Sequence, residues 1–164
     1  MKPGTYRALY RWAQPRAAVL QGVNRAITLG VYLWFGGLVL YLLWRAPAMA
    51  LRVAVCCGVP FVLLTLFRRW CNAPRPYEVF GIPPVLPKET KGKSFPSRHV
   101  FSIFVIGACS GVLYPVAGLV LCLAGVLLAA VRVVTGVHFL KDVLVGAAVG
   151  LLAGGGGMLL WAAL

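Results

Sequence analysis

From Val100 to Val131 the chain runs for 32 residues without a charged side chain. One helix needs about 20 apolar residues to cross a bilayer, so this stretch is long enough for two short crossings. Tyr114-Pro115 divides it, which predicts helices over 97–113 and 115–134. A soluble fold could not hide such a segment, because most of a small domain remains surface. Hydrophobic residues make up 61% of the 164 residues and charged ones 12%, about half the share of an ordinary soluble domain. Disorder, collagen-like repetition and a soluble globule are therefore excluded. Lipid is the solvent for much of this chain.

The remaining apolar runs extend the pattern. Ala26–Trp44 is a first span of 19 uncharged residues. Residues 46–67 form a second, with Arg52 able to snorkel and Pro60 able to kink it. Val143–Leu164 supplies the last, 22 residues without charge. Gly146, Gly150 and Gly154 repeat there at every fourth position, which lets another helix approach closely. Residues 4–24 carry Tyr6, Leu9, Tyr10, Ala13, Ala17 and Leu20 at helical spacing, which predicts an amphipathic helix in the headgroup layer, bent at Pro15. The reading is an all-α integral-membrane bundle of about five transmembrane helices. An N-terminal interfacial segment, 1–25, precedes a single domain, 26–164. Between spans two and three, the cations and prolines of 68–96 predict an extended, non-helical loop outside the hydrocarbon.

The 16 Lys and Arg outnumber the 3 acids, giving net +13. The cations stand between apolar runs, with no basic helix or aromatic RNA motif, so membrane lipids rather than nucleic acid are the expected partners. The five cysteines have neither zinc nor disulfide-framework spacing, and four lie in apolar runs as small hydrophobes. Lys2, Arg7, Arg11 and Arg16 precede no short apolar region with an A-x-A site, so no cleaved signal peptide is expected.

Three polar clusters stand at the ends of apolar runs: Arg68-x6-Arg75-Pro76, Phe95-Pro96-Ser97-Arg98-His99 and Arg132-x5-His138-x3-Asp142. With five spans, all three fall on one membrane face. His138 and Asp142, four apart, share a helix face, so the carboxylate can fix one imidazole nitrogen and leave the other as nucleophile or base. Ser97 reads as an N-cap, and the helix it opens offers free amides to an anion. Arg68, Arg75, Arg98 and Arg132 add forked donors suited to phosphate oxygens. Together with His99 they describe a phosphoryl-transfer site. No carboxylate or His/Cys cluster suits a catalytic metal, and no cofactor is expected. Taken singly, Arg69 reads as a charged flank, Arg132 as an interfacial snorkeler, Ser97 as a cap and His99 as a structural histidine.

The clusters resemble the signature K-x6-R-P, P-S-G-H and S-R-x5-H-x3-D of the type 2 phosphatidic acid phosphatase superfamily, which also includes vanadium haloperoxidases. The resemblance implies that His138 is a nucleophile forming a phosphohistidine, Asp142 its orienter and His99 the acid that protonates the leaving oxygen. Arg68, Arg75 and Arg132, with Ser97 and the amides after it, resemble the phosphate cradle. Arg68 stands in place of Lys, Arg98 of Gly and Val131 of Ser. The implied activity is hydrolysis of a lipid phosphate without metal: undecaprenyl pyrophosphate, phosphatidic acid or phosphatidylglycerophosphate. A non-catalytic phospholipid-binding protein of the same fold is an alternative, and a transporter another, though polar residues are almost lacking at mid-depth. The motif face holds 14 cations against Arg45 and Arg52 opposite, which the positive-inside rule makes cytoplasmic. The resemblance implies an extracytoplasmic site in a bacterial plasma membrane.

Overall fold

The computed structural model describes residues 3–88 and 90–163; Lys2 and Glu89 lie outside the described residues, as does the expected end of the last span at Leu164. Eight α-helices make up most of it: α1 Pro3–Ala13, α2 Ala17–Arg45, α3 Pro47–Cys71, α4 Pro76–Phe80, α5 Arg98–Leu113, α6 Pro115–Val134, α7 Leu140–Leu151 and α8 Gly157–Ala163. Prolines open α3, α4 and α6 in their first turns, where the missing N–H costs no helical bond. Four helical stretches are long and apolar enough to cross a membrane: Pro3–Arg45, Pro47–Phe80, Pro115–Val134 and Leu140–Trp161. The fifth expected span is α5, of 16 residues, about 24 Å long. It stands at the centre, packed on α3, α6 and α7, where Val100, Phe101, Ile103 and Val105 are all buried.

The outer helices show the inverse of a soluble surface. Leu40, Leu63, Val116, Leu123 and Leu152 are all largely exposed, as side chains solvated by acyl tails must be. Tryptophans mark both ends of the bundle. Arg45 lies over Trp44 and Arg52 over Trp161 at the end away from the motifs, and Arg16 over Trp12 at the motif end.

Three boundaries differ from the sequence reading. The expected helix 4–24 is divided by a 3₁₀ turn, Gln14–Arg16, at Pro15, and everything after it is continuous with the first span in a helix of 29 residues. The expected loop 68–96 is partly helical. α3 continues to Cys71 before Asn72 turns left-handed, and α4 forms because Pro76 fits a first turn and the Glu78 carboxylate accepts the Arg75 N–H at 2.8 Å. The last span begins at Leu140 and contains a π-helical stretch, Leu152–Gly156, where consecutive glycines relax the α pitch.

The glycine stripe meets α5. A Cβ on Gly146 would lie 2.8 Å from Ser97 O, and one on Gly150 would lie 2.7 Å from Phe101 O. Gly154 meets Val105 O in the same way. Both rows advance by four residues in the same direction, so α5 and α7 are parallel and backbone touches backbone along their length. Their N-termini therefore open on the same face, beside the C-terminal ends of α3 and α6. Gly150→Ala should lower the thermal midpoint in detergent, by about 1–3 kcal/mol of overpacking. Gly30→Ala, where nothing lies within 4 Å, should not.

Candidate active site

The segment between Arg132 and His138 is a tight turn that carries the chain from α6 to α7. The Arg132 carbonyl accepts both the Val137 and the His138 N–H at 3.1 Å, so the five-residue spacing ties the two side chains to one backbone oxygen. Gly136 makes this possible with φ of +75°, and the Tyr6 ring occupies the room a Cβ would need there. Tyr6, buried from α1, also stacks on Phe80 at 4.9 Å and donates its hydroxyl to Ile82 O. The N-terminal helix thus braces the turn that presents His138.

Asp142 is fully buried at the third position of α7. Its Oδ2 accepts the Phe139 N–H at 3.1 Å and the Ser94 hydroxyl at 2.5 Å, and lies 3.5 Å from His138 Nδ1. Ser94 Oγ is also 3.3 Å from that nitrogen. With Nδ1 held among these oxygens, Nε2 is the free nitrogen of His138. Ser94 is one residue the sequence reading missed. A serine immediately before a Phe-Pro step in a proline-rich loop carries no periodic signal, and its nearness to a carboxylate 48 residues away is visible only in the fold.

The guanidinium groups divide their work. Arg68 donates to the carbonyls of Lys93, Ser94 and Pro96. Arg75 donates to those of Gly92, Lys93 and Val137. Both are buried, and together they clamp the 92–97 stretch of the loop over the site. A forked guanidinium reaches three carbonyls where an ammonium reaches fewer in fixed geometry, which gives a reason for Arg at position 68. Arg132 is buried with its Nε unpartnered. Val131 packs with Leu86 and Val137, so an apolar side chain suits that position.

One expectation is corrected. Ser97 occupies the N-cap position of α5, but its hydroxyl makes no capping hydrogen bond and is buried without a partner. Its backbone N–H instead donates to Asp142 O at 2.8 Å, because the close approach of Gly146 brings the start of α7 against it. Neither Ser97 nor Asp142 lines the cavity at this face; both stand behind it.

That cavity, about 230 Å³, is lined by His99 and His138 together with Arg68, Arg75, Arg98 and Arg132. Arg69, Lys88, Thr90 and Lys93 add to its wall, although the sequence reading assigned them no part in the site. The field is strongly positive: burial, and then the cations Arg75, Arg132, Arg98 and Arg68, hold the Lys88 ammonium below the ordinary lysine range. A second cavity between α2, α3, α5 and α6 shares Arg98 and His99 with the first and is otherwise lined by Val31, Tyr32, Phe61 and Leu128 among others. Polar and apolar chambers thus meet at two residues.

Burial pushes the His138 imidazole from 6.5 down to about 4, against the Asp142 hydrogen bond that raises it. The neutral form therefore persists in mild acid. The sign for stability follows: protonation favours the unfolded chain, so the His138 contribution is complete above pH 6.5 and is lost as pH falls toward 4. Thermal melts of His138→Gln should lose less midpoint across that window than those of the unmodified protein.

Comparison with known proteins follows the same lines. No curated protein matches the chain. The fold is shared with the crystal structure of Aquifex aeolicus LpxE, at TM-score 0.73 and 22% identity over 94% of this chain and 93% of that one. It is shared as well with a transmembrane PAP2 type phosphatidylglycerolphosphate phosphatase from Bacillus subtilis, at TM-score 0.76 and 21% identity over 99% of this chain and 85% of that one. The pattern of the PAP2 superfamily matches residues 41–163, a stretch that contains all three polar clusters. The chain is an integral membrane protein of PAP2 phosphatase type and belongs to the PAP2 superfamily.

Proposed function

We propose that this protein hydrolyses the phosphoester or phosphoanhydride of a membrane lipid through a phosphohistidine on His138. The observation that carries the reading is the pairing of His138 Nδ1 with Asp142 and Ser94 while the same imidazole lines a cavity walled by arginines. Phosphoryl transfer demands little of a protein beyond an aligned nucleophile and fixed positive charge around the equatorial oxygens, and both are supplied here. One of the two similar crystal structures is by name a transmembrane PAP2 type phosphatidylglycerolphosphate phosphatase, which supports the lipid phosphate as substrate class.

In this reading the phosphate enters the cationic cavity while the lipid tail stays among the helices. His138 Nε2 attacks phosphorus in line, and the bond to the leaving oxygen breaks with its electron pair. His99 gives that oxygen a proton, a contribution of about 10²–10⁴ in rate. Water, deprotonated by the now neutral His99, attacks the phosphohistidine and releases inorganic phosphate. The proton returns to His99, and His138 is regenerated.

Purified protein should release inorganic phosphate from a panel of undecaprenyl pyrophosphate, phosphatidic acid and phosphatidylglycerophosphate, with chelator present and with inhibition by orthovanadate. His138→Ala should lower turnover by about 10³-fold or more and abolish an acid-labile phosphoenzyme. Wild-type turnover in that variant would overturn the assignment, and phospholipid binding without phosphate release would make the protein a binder.

We further propose that the site faces the extracytoplasmic side of a bacterial plasma membrane. The buried guanidinium groups of Arg68, Arg75 and Arg132 belong to the site, so they do not report on the positive-inside rule. Cys71, exposed at the end of α3 on the motif face, is a native reporter. A membrane-impermeant thiol reagent applied to whole cells should label it, and Cys71→Ser should remove the label. Labelling only after lysis would reverse the orientation.

A further inference from the structure

A lysine outside all three polar clusters stands at the site. Lys88, in the loop between α4 and α5, is half-buried and lines the cationic cavity with His99, His138 and Arg132. The loop is pinned on either side of it. Before it, the Val85 N–H donates to Thr135 O at 3.0 Å, and Leu86 is buried against Val131 and Val137. After it, Thr90 O accepts the Tyr77 hydroxyl, and the Gly92 N–H donates to Glu78 Oε2 at 2.9 Å. Lys88 therefore sits on a short strap, fixed to the turn after α6 at one end and to α4 at the other.

That position carries an electrostatic cost. Burial and four nearby guanidinium groups hold the Lys88 ammonium below the ordinary lysine range. Like charges gathered in one wall repel, and an anion placed among them removes the repulsion.

The arginines of the first cluster are already engaged. A guanidinium has five N–H donors, and Arg68 commits its fork to the carbonyls of Lys93, Ser94 and Pro96. Arg75 does the same to those of Gly92, Lys93 and Val137. Both give charge to the cavity while their donors hold the loop. Arg132 differs: it is buried, and its Nε has no acceptor among the described residues. Lys93, the other lysine of the wall, is exposed at a left-handed turn whose carbonyl both clamping arginines take. Lys88 is the cation that combines a pinned backbone with partial burial in the wall and no role in the clamp.

Resting on the lipid-phosphatase reading above, we infer that Lys88 is a phosphate-binding residue of this site, and that Arg68 is a positioning residue. The Lys88 ammonium, with Arg132, contacts the non-bridging oxygens of the phosphoryl group. It stays protonated and transfers no proton, so His99 remains the acid. Position 68, where the signature has Lys, has become a clamp, and the ammonium of the cavity comes from the loop instead. The ligand chemistry is a phosphoryl anion, whether esterified to a lipid or free.

The test uses the full chain in detergent with two readouts: inorganic phosphate release from the lipid panel above, and the thermal shift produced by orthovanadate, which needs no turnover. Lys88→Gln should lower kcat/KM by about ten-fold or more, the scale of a hydrogen bond to a charged group, and shrink the vanadate shift. Lys88→Arg should restore part of both. Lys91→Gln removes the same charge from an exposed position of the loop outside the cavity wall, and should leave both readouts unchanged. Arg68→Lys should lower the thermal midpoint without vanadate, because an ammonium does not hold three carbonyls in fixed geometry. An unchanged midpoint there overturns the clamp. Unchanged readouts in Lys88→Gln, or an equal loss in Lys91→Gln, overturn the Lys88 assignment and leave the phosphatase reading intact. A Lys88-dependent vanadate shift without phosphate release from any lipid supports phosphate binding at Lys88 and overturns the phosphatase reading. Neither shift nor release overturns both.

Discussion

A carboxylate inside an apolar bundle is costly unless donors gather around it, and the contacts of Asp142 tie this protein's polar segments together even though its Oδ1 is buried without a partner. Its Oδ2 receives the Phe139 N–H from its own helix, the Ser94 hydroxyl from the loop and the approach of His138 Nδ1 from the turn, while its backbone carbonyl receives the Ser97 N–H of α5. Those contacts join the second and third motif segments directly. The first is joined through Arg68 and Arg75, whose guanidinium groups hold the same 92–97 stretch that carries Ser94. Removing the carboxylate would leave several buried donors without a partner, each a cost of about 1–3 kcal/mol. The placement of the His138 imidazole is therefore a by-product of satisfying one charge as much as a feature added to the fold.

The same local device appears twice. Glu78 stands at the third position of α4 and accepts the Arg75 N–H, as Asp142 does for Phe139 in α7. Glu78 also receives the Gly92 N–H, which returns the loop toward the helix that carries Arg75. With Glu89 outside the described residues, two of the chain's acids thus each close a helix start and tether a distant backbone segment. Because neither faces the cavity, the described residues of its wall include cations and no carboxylate. A cavity of this kind holds its charge in place before an anion arrives, so little reorganisation is needed at the moment phosphorus is attacked.

Much of this was legible in the sequence because it rests on strong local signals. Charge-free length defined the helices, Pro115 separated α5 from α6, and the four-residue glycine period announced a close helix contact without naming the partner. The motif residues were legible for a different reason: a polar side chain is expensive beside lipid, so those present mark chemistry. What escaped depended on long-range pairing or on competition between signals. Ser94 gains its role only from Asp142. α4 hid in a proline-rich stretch because proline both breaks helices and opens them, and only the Glu78 carboxylate decides which. Ser97 has the identity and position of a cap, yet the packing of α7 satisfies its backbone and leaves its hydroxyl idle.

The glycine ladder explains why the bundle and the site cannot be varied independently. Ser97 N–H reaches Asp142 O only because Gly146 presents no side chain to Ser97. The same register continues through Gly150 and Gly154, so the separation of α5 and α7 deep in the bilayer is fixed by the atoms that fix the distance from Ser97 to Asp142 at its edge. His99 rides on the first turn of α5 and His138 on the turn just before α7. Their separation is thus set by a backbone-to-backbone contact, which has far less play than a layer of side chains. In the proposed mechanism, these two imidazoles thus gain their alignment from the part of the protein least accessible to water.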